Sequence, residues 1–182
     1  NANLGPLHEY YALKKRLLGV EELRHYDVYA PLAGETTVRH TWDDAVAVIH
    51  EALAPLGNEY RDTLKAGLLG GWADRYESKG KRSGAFSAGS WAGDPYIHMN
   101  FYEDNIRDVF TLAHEGGHSM HSWYSVRSNP FMHYNYAIFE AEVASTFNEE
   151  LLFRSMMERT KDRATKAYLV SKRVDDLLST LF

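Results

Sequence analysis

The chain has no cysteine among its 182 residues. This absence excludes disulfide scaffolds, iron–sulfur clusters, zinc sites built on thiolates and catalytic cysteines. A metal ion bound by this chain would therefore need histidine, aspartate or glutamate ligands. Nine histidines and 25 acidic residues are available for that purpose.

Long hydrophobic runs and basic clusters are also missing. The longest apolar runs, such as Ala45 to Ile49, fall far short of the roughly 20 residues that cross a membrane. No basic run exceeds Lys14 to Arg16, and the formal net charge is -5. Because binding to phosphates needs a basic surface, we expect neither nucleic acid nor a membrane as a partner.

The spacing of apolar residues predicts a mainly α-helical chain with one extended interruption. Helices are predicted over residues 58–78 and 137–159, among others. Between them, glycines and an alternating pattern predict a β-hairpin within Lys79 to Phe101. The predicted fold class is therefore mainly α, with one small β-hairpin or sheet before the next helix. The candidate core residues of the helix over 137–159 are Phe139, Val143, Phe147, Leu151 and Met156.

The strongest motif is the run His114-Glu115-Gly116-Gly117-His118, an HExxH pattern on a predicted helix. At about 3.6 residues per turn, His114 and His118 lie about 40° apart around the helix, so both imidazoles can reach one ion. Glu115 lies beside that ion without binding it, where it can accept a proton from an activated water. This arrangement is typical of zincins and predicts one zinc ion per chain.

A catalytic zinc ion needs a third protein ligand and an open position for water. His121 lies on the same helical face, but a straight helix places it about 10.5 Å along the axis from His114, too far for one ion. The third ligand should therefore come from another helix, which offers Glu140 and Glu142. These two side chains point about 160° apart, so only one can reach the ion. The small or slim residues that follow Glu142 favour it, because they allow two helices to approach closely.

At these residues the chain resembles a known family. The run Thr111 to Ser122, followed by Ile138 to Thr146, is similar to the catalytic core of the oligoendopeptidase F family, which is related to thimet oligopeptidase. The glycine-rich segment Gly80 to Ser87, with Pro95 to Phe101 after it, resembles the hairpin upstream of the zinc motif in that family. The resemblance extends over roughly Gly80 to Leu152 and weakly over the flanking helices.

The resemblance implies a zincin-like helical fold with one small sheet and a zinc endopeptidase activity on internal bonds of short peptides. It implies His114, His118 and Glu142 as zinc ligands and Glu115 as the catalytic base. Oligopeptides are then the expected substrates. The zincin-like core is expected to lie in one domain, residues 1–182, that is a fragment of a longer catalytic domain in the cytoplasm.

Two departures from the family pattern bear on this expectation. A bulky apolar residue of the family is replaced by Gly116, and each of the two consecutive glycines costs about 1 kcal/mol of helix propensity, which predicts a looser helix. The histidine and tyrosine residues that bind the oxyanion in the family lie downstream of the zinc helices. We therefore expect the missing N- and C-terminal parts of the same enzyme to be partners, and little or no cleavage by the isolated chain.

The hairpin offers a candidate substrate-binding edge at Gly84, Ala85, Phe86 and Ser87. An extended peptide can pair with such an edge through backbone hydrogen bonds. A tight turn explains the glycines equally well. Two other activities stay open as alternatives, a zinc carboxypeptidase with the same motif and a non-catalytic metal-binding fragment.

Overall fold

The computed structural model describes residues 4–30, 32 and 39–181. Within these ranges the chain is mainly helical, as the sequence predicts. No helix there is both long and apolar enough to cross a membrane. The α-helices are α1 (Gly5–Leu18), α2 (Trp42–Ala52), α3 (Asn58–Leu69), α4 (Ile106–Ser128), α5 (Ile138–Arg159) and α6 (Arg163–Leu181).

A small three-stranded sheet interrupts the helices, in the order β1-β3-β2. The predicted hairpin is confirmed by β2 (Phe86–Ser90) and β3 (Gly93–His98), which pair antiparallel. A further strand that the sequence does not predict, β1 (Ala73–Asp74), has two residues and pairs parallel to β3. Strand β2 therefore lies at an edge of the sheet, on the side away from β1.

The predicted extension of the third helix to residue 78 is wrong, because α3 ends at Leu69. Gly70 and Gly71 follow at once, and glycine is a poor helix former. The chain then turns back so that the N–H of Trp72 donates to the Gly67 carbonyl at 3.1 Å. The tryptophan ring covers Gly67, where a side chain would collide with it. This reversal makes room for β1 beside the hairpin.

Helix α4 runs through the core of the part of the chain that carries the HExxH motif. It packs against the sheet on one side and against α2 and α3 on others. Asn105 starts the helix by accepting a hydrogen bond from the Arg107 N–H at 3.0 Å. The fully buried large side chains of this core include Trp42, Ile49, Leu64, Leu68, Ile97, Leu112 and Met120.

Helix α5 buries a different face from the predicted one. Phe139, Val143 and Phe147 are 79%, 57% and 51% exposed, so their assignment to the core is wrong, whereas Met156 is buried as predicted. The face that packs inward consists mostly of small or polar side chains, because α5 approaches α4 closely. Its buried residues are Ala141, Ser145, Asn148, Leu152 and Met156.

The chain divides into two compact units. The first contains the described residues of 1–36 and 159–182, where Lys14 is fully buried and donates to the Val28 carbonyl. In the same unit the Tyr10 hydroxyl donates to Asp175 at 2.7 Å. The second unit, residues 37–158, contains the sheet and every candidate site residue. The expectation of a single domain stays a prediction.

Candidate metal centre

The two histidines of the HExxH motif face each other on α4. Their Nε2 atoms lie 3.0 Å apart, and the planes of the two rings cross at 84°. The one-turn spacing therefore does what helical geometry predicts, since both side chains point to the same place. Each ring offers a nitrogen lone pair there when that nitrogen carries no proton.

Helix α5 brings one carboxylate to these histidines. Oε2 of Glu142 lies 3.4 Å from Nε2 of His114 and 3.7 Å from Nε2 of His118. Glu140 is exposed and accepts a hydrogen bond from the Ala137 N–H at 2.9 Å, at the start of the same helix. Of the two candidate carboxylates, Glu142 is thus the one that joins the histidines.

The three donor atoms have the spacing that a zinc ion requires. All of them lie within 4.8 Å of one another. Two ligands about 2.1 Å from a tetrahedral zinc ion are separated by about 3.4 Å. The observed separations of 3.0, 3.4 and 3.7 Å bracket that value. The residues present therefore fit a zinc ion of the His-His-Glu type without rearrangement of the backbone.

This convergence depends on a close crossing of α4 and α5 at Gly117. A Cβ atom at this position would lie 2.7 Å from the Ala144 carbonyl oxygen and 2.7 Å from Cα of Ser145. Only glycine leaves that space free. At Gly116 a Cβ would instead meet the end of the Leu64 side chain at 3.2 Å. The two glycines, expected to loosen the helix, are thus positions of tight packing.

Further polar groups hold the metal-facing side chains in place. Glu149 accepts a hydrogen bond from Nδ1 of His114 at 2.5 Å. The Ser145 hydroxyl donates to Oε2 of Glu142 at 2.8 Å. The Thr146 hydroxyl donates to the Glu142 backbone carbonyl, also at 2.5 Å, and so does not touch its carboxylate. Side chains of α5 therefore form hydrogen bonds with both the His114 ring and the Glu142 carboxylate.

Asn148, which is not among the residues predicted from the sequence, links three helices. Its side chain is 1% exposed, and its amide donates to the Ala113 carbonyl on α4 at 3.2 Å. Its amide oxygen accepts from the Tyr60 hydroxyl on α3 at 3.1 Å. Its spacing along the helix is the one sequence signal for it, because Asn148 lies on the same helical stripe as the small residues Ala141 and Ser145.

Glu115 is buried beside the donor cluster. The backbone of Ser87 on β2 acts to lower the pKa of Glu115. One oxygen of this carboxylate, Oε2, is buried and finds no hydrogen-bond partner within the described ranges. Burial raises the pKa of Glu115 above its ordinary value, and the negative charge of Glu142 acts in the same direction. Within the described ranges Glu115 thus keeps a free acceptor oxygen and a raised pKa, which suit a group that accepts a proton.

The two histidines differ in their surroundings. Burial acts to lower the pKa of His114, but the hydrogen bond and charge of Glu149 outweigh it, so the pKa is raised. Burial and the charge of His114 lower the pKa of His118. His118 therefore favours the neutral form, which is the form that binds metals.

The hairpin places its predicted substrate-binding residues in two different settings. Gly84 has a positive φ of 92°, as in a tight turn, whereas Phe86 and Ser87 belong to β2. The side chain of Phe86 stacks on His98 with ring centroids 5.0 Å apart. The Ser87 hydroxyl lies 2.8 Å from the Ser119 hydroxyl of α4. Strand β2 therefore lies directly along the helix that carries the HExxH motif.

His121 is separate from the donor cluster. Its ring stacks on Tyr136 with centroids 3.8 Å apart, and the Tyr136 hydroxyl lies 2.5 Å from that of Ser122. Among the described residues, the group that can hold a metal contains His114, His118 and Glu142 without His121. This placement agrees with the argument that one straight helix cannot bring three such rings to one ion.

A protein family and several known proteins match this chain over its full length. The model of a family described as Peptidase family M3 matches residues 1–182. The chain is 49% identical to an oligoendopeptidase F homolog of Borreliella burgdorferi, over 100% of this chain and 31% of that protein. It is 42% identical to oligopeptidase PepF of Bacillus subtilis, over 100% of this chain and 27% of that protein.

A solved structure is also similar to the fold of this chain. It is that of a Chlamydophila abortus protein described as a candidate peptidase, with a TM-score of 0.87 and 43% identity. The match covers 100% of this chain and 30% of that one. The chain thus spans less than a third of the length of each of these relatives, and corresponds to a segment of longer proteins.

Proposed function

Because the chain belongs to peptidase family M3, we propose that it carries the zinc centre and catalytic base of an endopeptidase that cleaves internal bonds of short peptides. The observation that carries this proposal is the meeting of His114, His118 and Glu142 beside the buried carboxylate of Glu115. The names of the relatives, oligoendopeptidase and oligopeptidase, support peptides as the substrate class. The cytoplasm remains the proposed location.

His114, His118 and Glu142 would hold the zinc ion. When bound, zinc supplies Lewis acidity, which makes water nucleophilic near neutral pH and polarises the scissile carbonyl. The protein's part is to fix the three donor atoms at their observed separations of 3.0 to 3.7 Å. Ser145 contributes by holding Oε2 of Glu142 through its hydroxyl at 2.8 Å.

Glu115 would move the proton. Its unpaired Oε2 accepts a proton from the water that attacks the peptide carbonyl. When the C–N bond breaks, the same carboxyl group donates that proton to the departing amine nitrogen. A raised pKa, caused first by burial, suits both steps because it brings the proton affinity of the carboxylate closer to that of its partners.

The edge strand β2 would bind the peptide backbone. It pairs with β3 on one side, and no strand in the described part of the chain pairs with its other side. An extended peptide can add to such an edge by backbone hydrogen bonds, which accept many side-chain sequences. Phe86 and Ser87 belong to the strand, whereas Gly84 and Ala85 would act by shaping the turn before it.

The zinc content of purified variants tests the metal centre. We expect one zinc ion per chain in the wild type, and far less than one in His114→Ala and Glu142→Gln, because the first loses a donor atom and the second loses the negative charge of its donor. Glu140→Gln is the matched control, since this nearby carboxylate accepts a hydrogen bond from the Ala137 N–H and is not among the grouped donors, so the zinc content should be unchanged. Retention of full zinc by both ligand variants would refute the assignment.

Endopeptidase activity is favoured over carboxypeptidase activity by the names of the relatives. A peptide whose C-terminal carboxylate is amidated separates the two, because a carboxypeptidase needs a free C-terminal carboxylate and an endopeptidase does not. Cleavage within the amidated peptide supports the proposal, and cleavage confined to peptides with a free C-terminus supports the alternative.

A further inference from the structure

We propose that Glu149 positions His114 for metal binding by fixing which ring nitrogen carries the proton. This inference rests on the proposed metal centre. Oε1 of Glu149 lies 2.5 Å from Nδ1 of His114, across the interface between α5 and α4. An ionised carboxylate can only accept hydrogen bonds, so in the neutral imidazole, which is the form that binds metals, the single proton lies on Nδ1. Nε2 is then left with its lone pair.

That lone pair lies where a metal ligand is needed. Nε2 of His114 is 3.0 Å from Nε2 of His118 and 3.4 Å from Oε2 of Glu142. In the other tautomer Nε2 would carry the proton and could not bind an ion. Hydrogen bonds of this kind fix both the tautomer and the ring orientation of metal-binding histidines, and they raise the basicity of the ligand.

One face of α5 supplies both the ligand and its support. Glu142 and Glu149 are two turns apart on this helix and differ by about 20° in direction around it. The first carboxylate therefore meets Nε2 of His114 while the second meets Nδ1 of the same ring. A single helix thus holds the imidazole from both of its nitrogens.

The position of Glu149 is itself fixed by its neighbour Asn148. The amide of Asn148 donates to the Ala113 carbonyl, one residue before His114, and accepts from Tyr60. These bonds tie α5 to α4 at the level of the first histidine. The side chain of Glu149 is 16% exposed, so little water competes for its hydrogen bond to His114.

Two variants and a control test this role in the 182-residue chain. Glu149→Gln keeps the shape and an acceptor oxygen but removes the charge, and Glu149→Ala removes the acceptor. Glu150→Gln is the matched control, because Glu150 is adjacent and pairs with Arg154 at 2.7 Å instead of His114. Zinc affinity is measured by competition with a chromogenic chelator, and the unfolding of the metal-free protein is followed by circular dichroism.

We expect Glu149→Ala to weaken zinc binding by about 10–100-fold, Glu149→Gln by less, and Glu150→Gln by no more than about twofold. A second readout needs no metal. In ¹⁵N-labelled metal-free protein, the ring nitrogens of His114 should show the Nδ1–H tautomer in the wild type and a mixture of tautomers in Glu149→Ala. If Glu149 only stabilised the fold, a Glu149→Ala variant with the same free energy of unfolding as the wild type would keep the wild-type tautomer of His114.

The outcomes separate this inference from the proposed function. Wild-type affinity for zinc in both Glu149 variants, with an unchanged tautomer, would overturn the positioning role and leave the metal centre intact. A wild-type chain that binds no zinc would overturn the metal centre. In that case the tautomer spectrum still decides whether Glu149 controls His114.

Discussion

Replacing Glu115 by glutamine is expected to lower the rate of peptide cleavage by about 10²–10⁴-fold, because the general base is lost. The amide has nearly the same shape as the carboxylate, so it can occupy the same buried position. It cannot take a proton through the position of Oε2, which is the unpaired acceptor in the wild type. Binding of zinc should persist, since Glu115 is not among the three grouped donors.

Because we propose that this segment acts within a longer catalytic domain, the rate is measured in a polypeptide of the length of its relatives, with a quenched fluorescent peptide as substrate. Zinc content is determined on the same samples, because loss of metal would lower the rate for another reason. Glu140→Gln controls for removal of a negative charge near the site and should retain the wild-type rate. If Glu115→Gln turned over the peptide at an undiminished rate, Glu115 could not be the base.

Helical periodicity alone was enough to predict the first part of the candidate site. His114 and His118 had to share a face of α4, and His121 had to lie too far along the axis, whatever the rest of the fold. The structure agrees on both points, since the Nε2 atoms of the first two are 3.0 Å apart and His121 stacks on Tyr136 instead.

The choice between Glu140 and Glu142 depends on which face of α5 turns inward, and periodicity was misleading there. The large apolar residues of this helix, such as Phe139 and Phe147, suggested a buried stripe that the structure leaves exposed. The small residues around Ser145 decide the packing, because the backbones of the two helices nearly touch at Gly117. Contacts between distant segments of this kind override the local hydrophobic pattern.

Two further elements could not be inferred from local sequence. Strand β1 has only two residues, too few to show an alternating pattern, so the sequence does not predict it. It is a strand because it pairs with β3. The buried amide of Asn148 is stabilised by bonds to Ala113 and Tyr60, from two other helices. Both features are set by tertiary partners, and a single sequence without a structure does not name those partners.

The Gly117→Ala substitution is expected to destroy the metal centre although it removes no ligand. Its Cβ would lie 2.7 Å from the Ala144 carbonyl oxygen and 2.7 Å from Cα of Ser145, and backbone atoms cannot turn aside as a side chain can. Helix α5 must therefore shift and carry Glu142 with it. Metal sites tolerate displacements of only about 0.2 Å, so we expect zinc affinity to fall by about 100-fold or more.

The same substitution should also reduce the free energy of unfolding. Forcing an extra carbon into a packed interface costs about 1–3 kcal/mol, and the gain of about 1 kcal/mol in helix propensity offsets only part of it. Chemical denaturation of the metal-free chain measures this net loss without interference from zinc. A chelator competition on the folded protein measures the loss of affinity separately.

Gly116→Ala is the matched control, because the two glycines are adjacent on the same helix. Its Cβ would meet only the end of the Leu64 side chain, at 3.2 Å. A rotation of that side chain can move its end by a few tenths of an ångström. The gain in helix propensity then roughly balances the crowding, so stability should change by less than about 1 kcal/mol and zinc affinity should stay near that of the wild type. Equal zinc affinity in the two alanine variants would contradict the argument, because α5 would then not depend on the close crossing at Gly117 to bring Glu142 to the histidines.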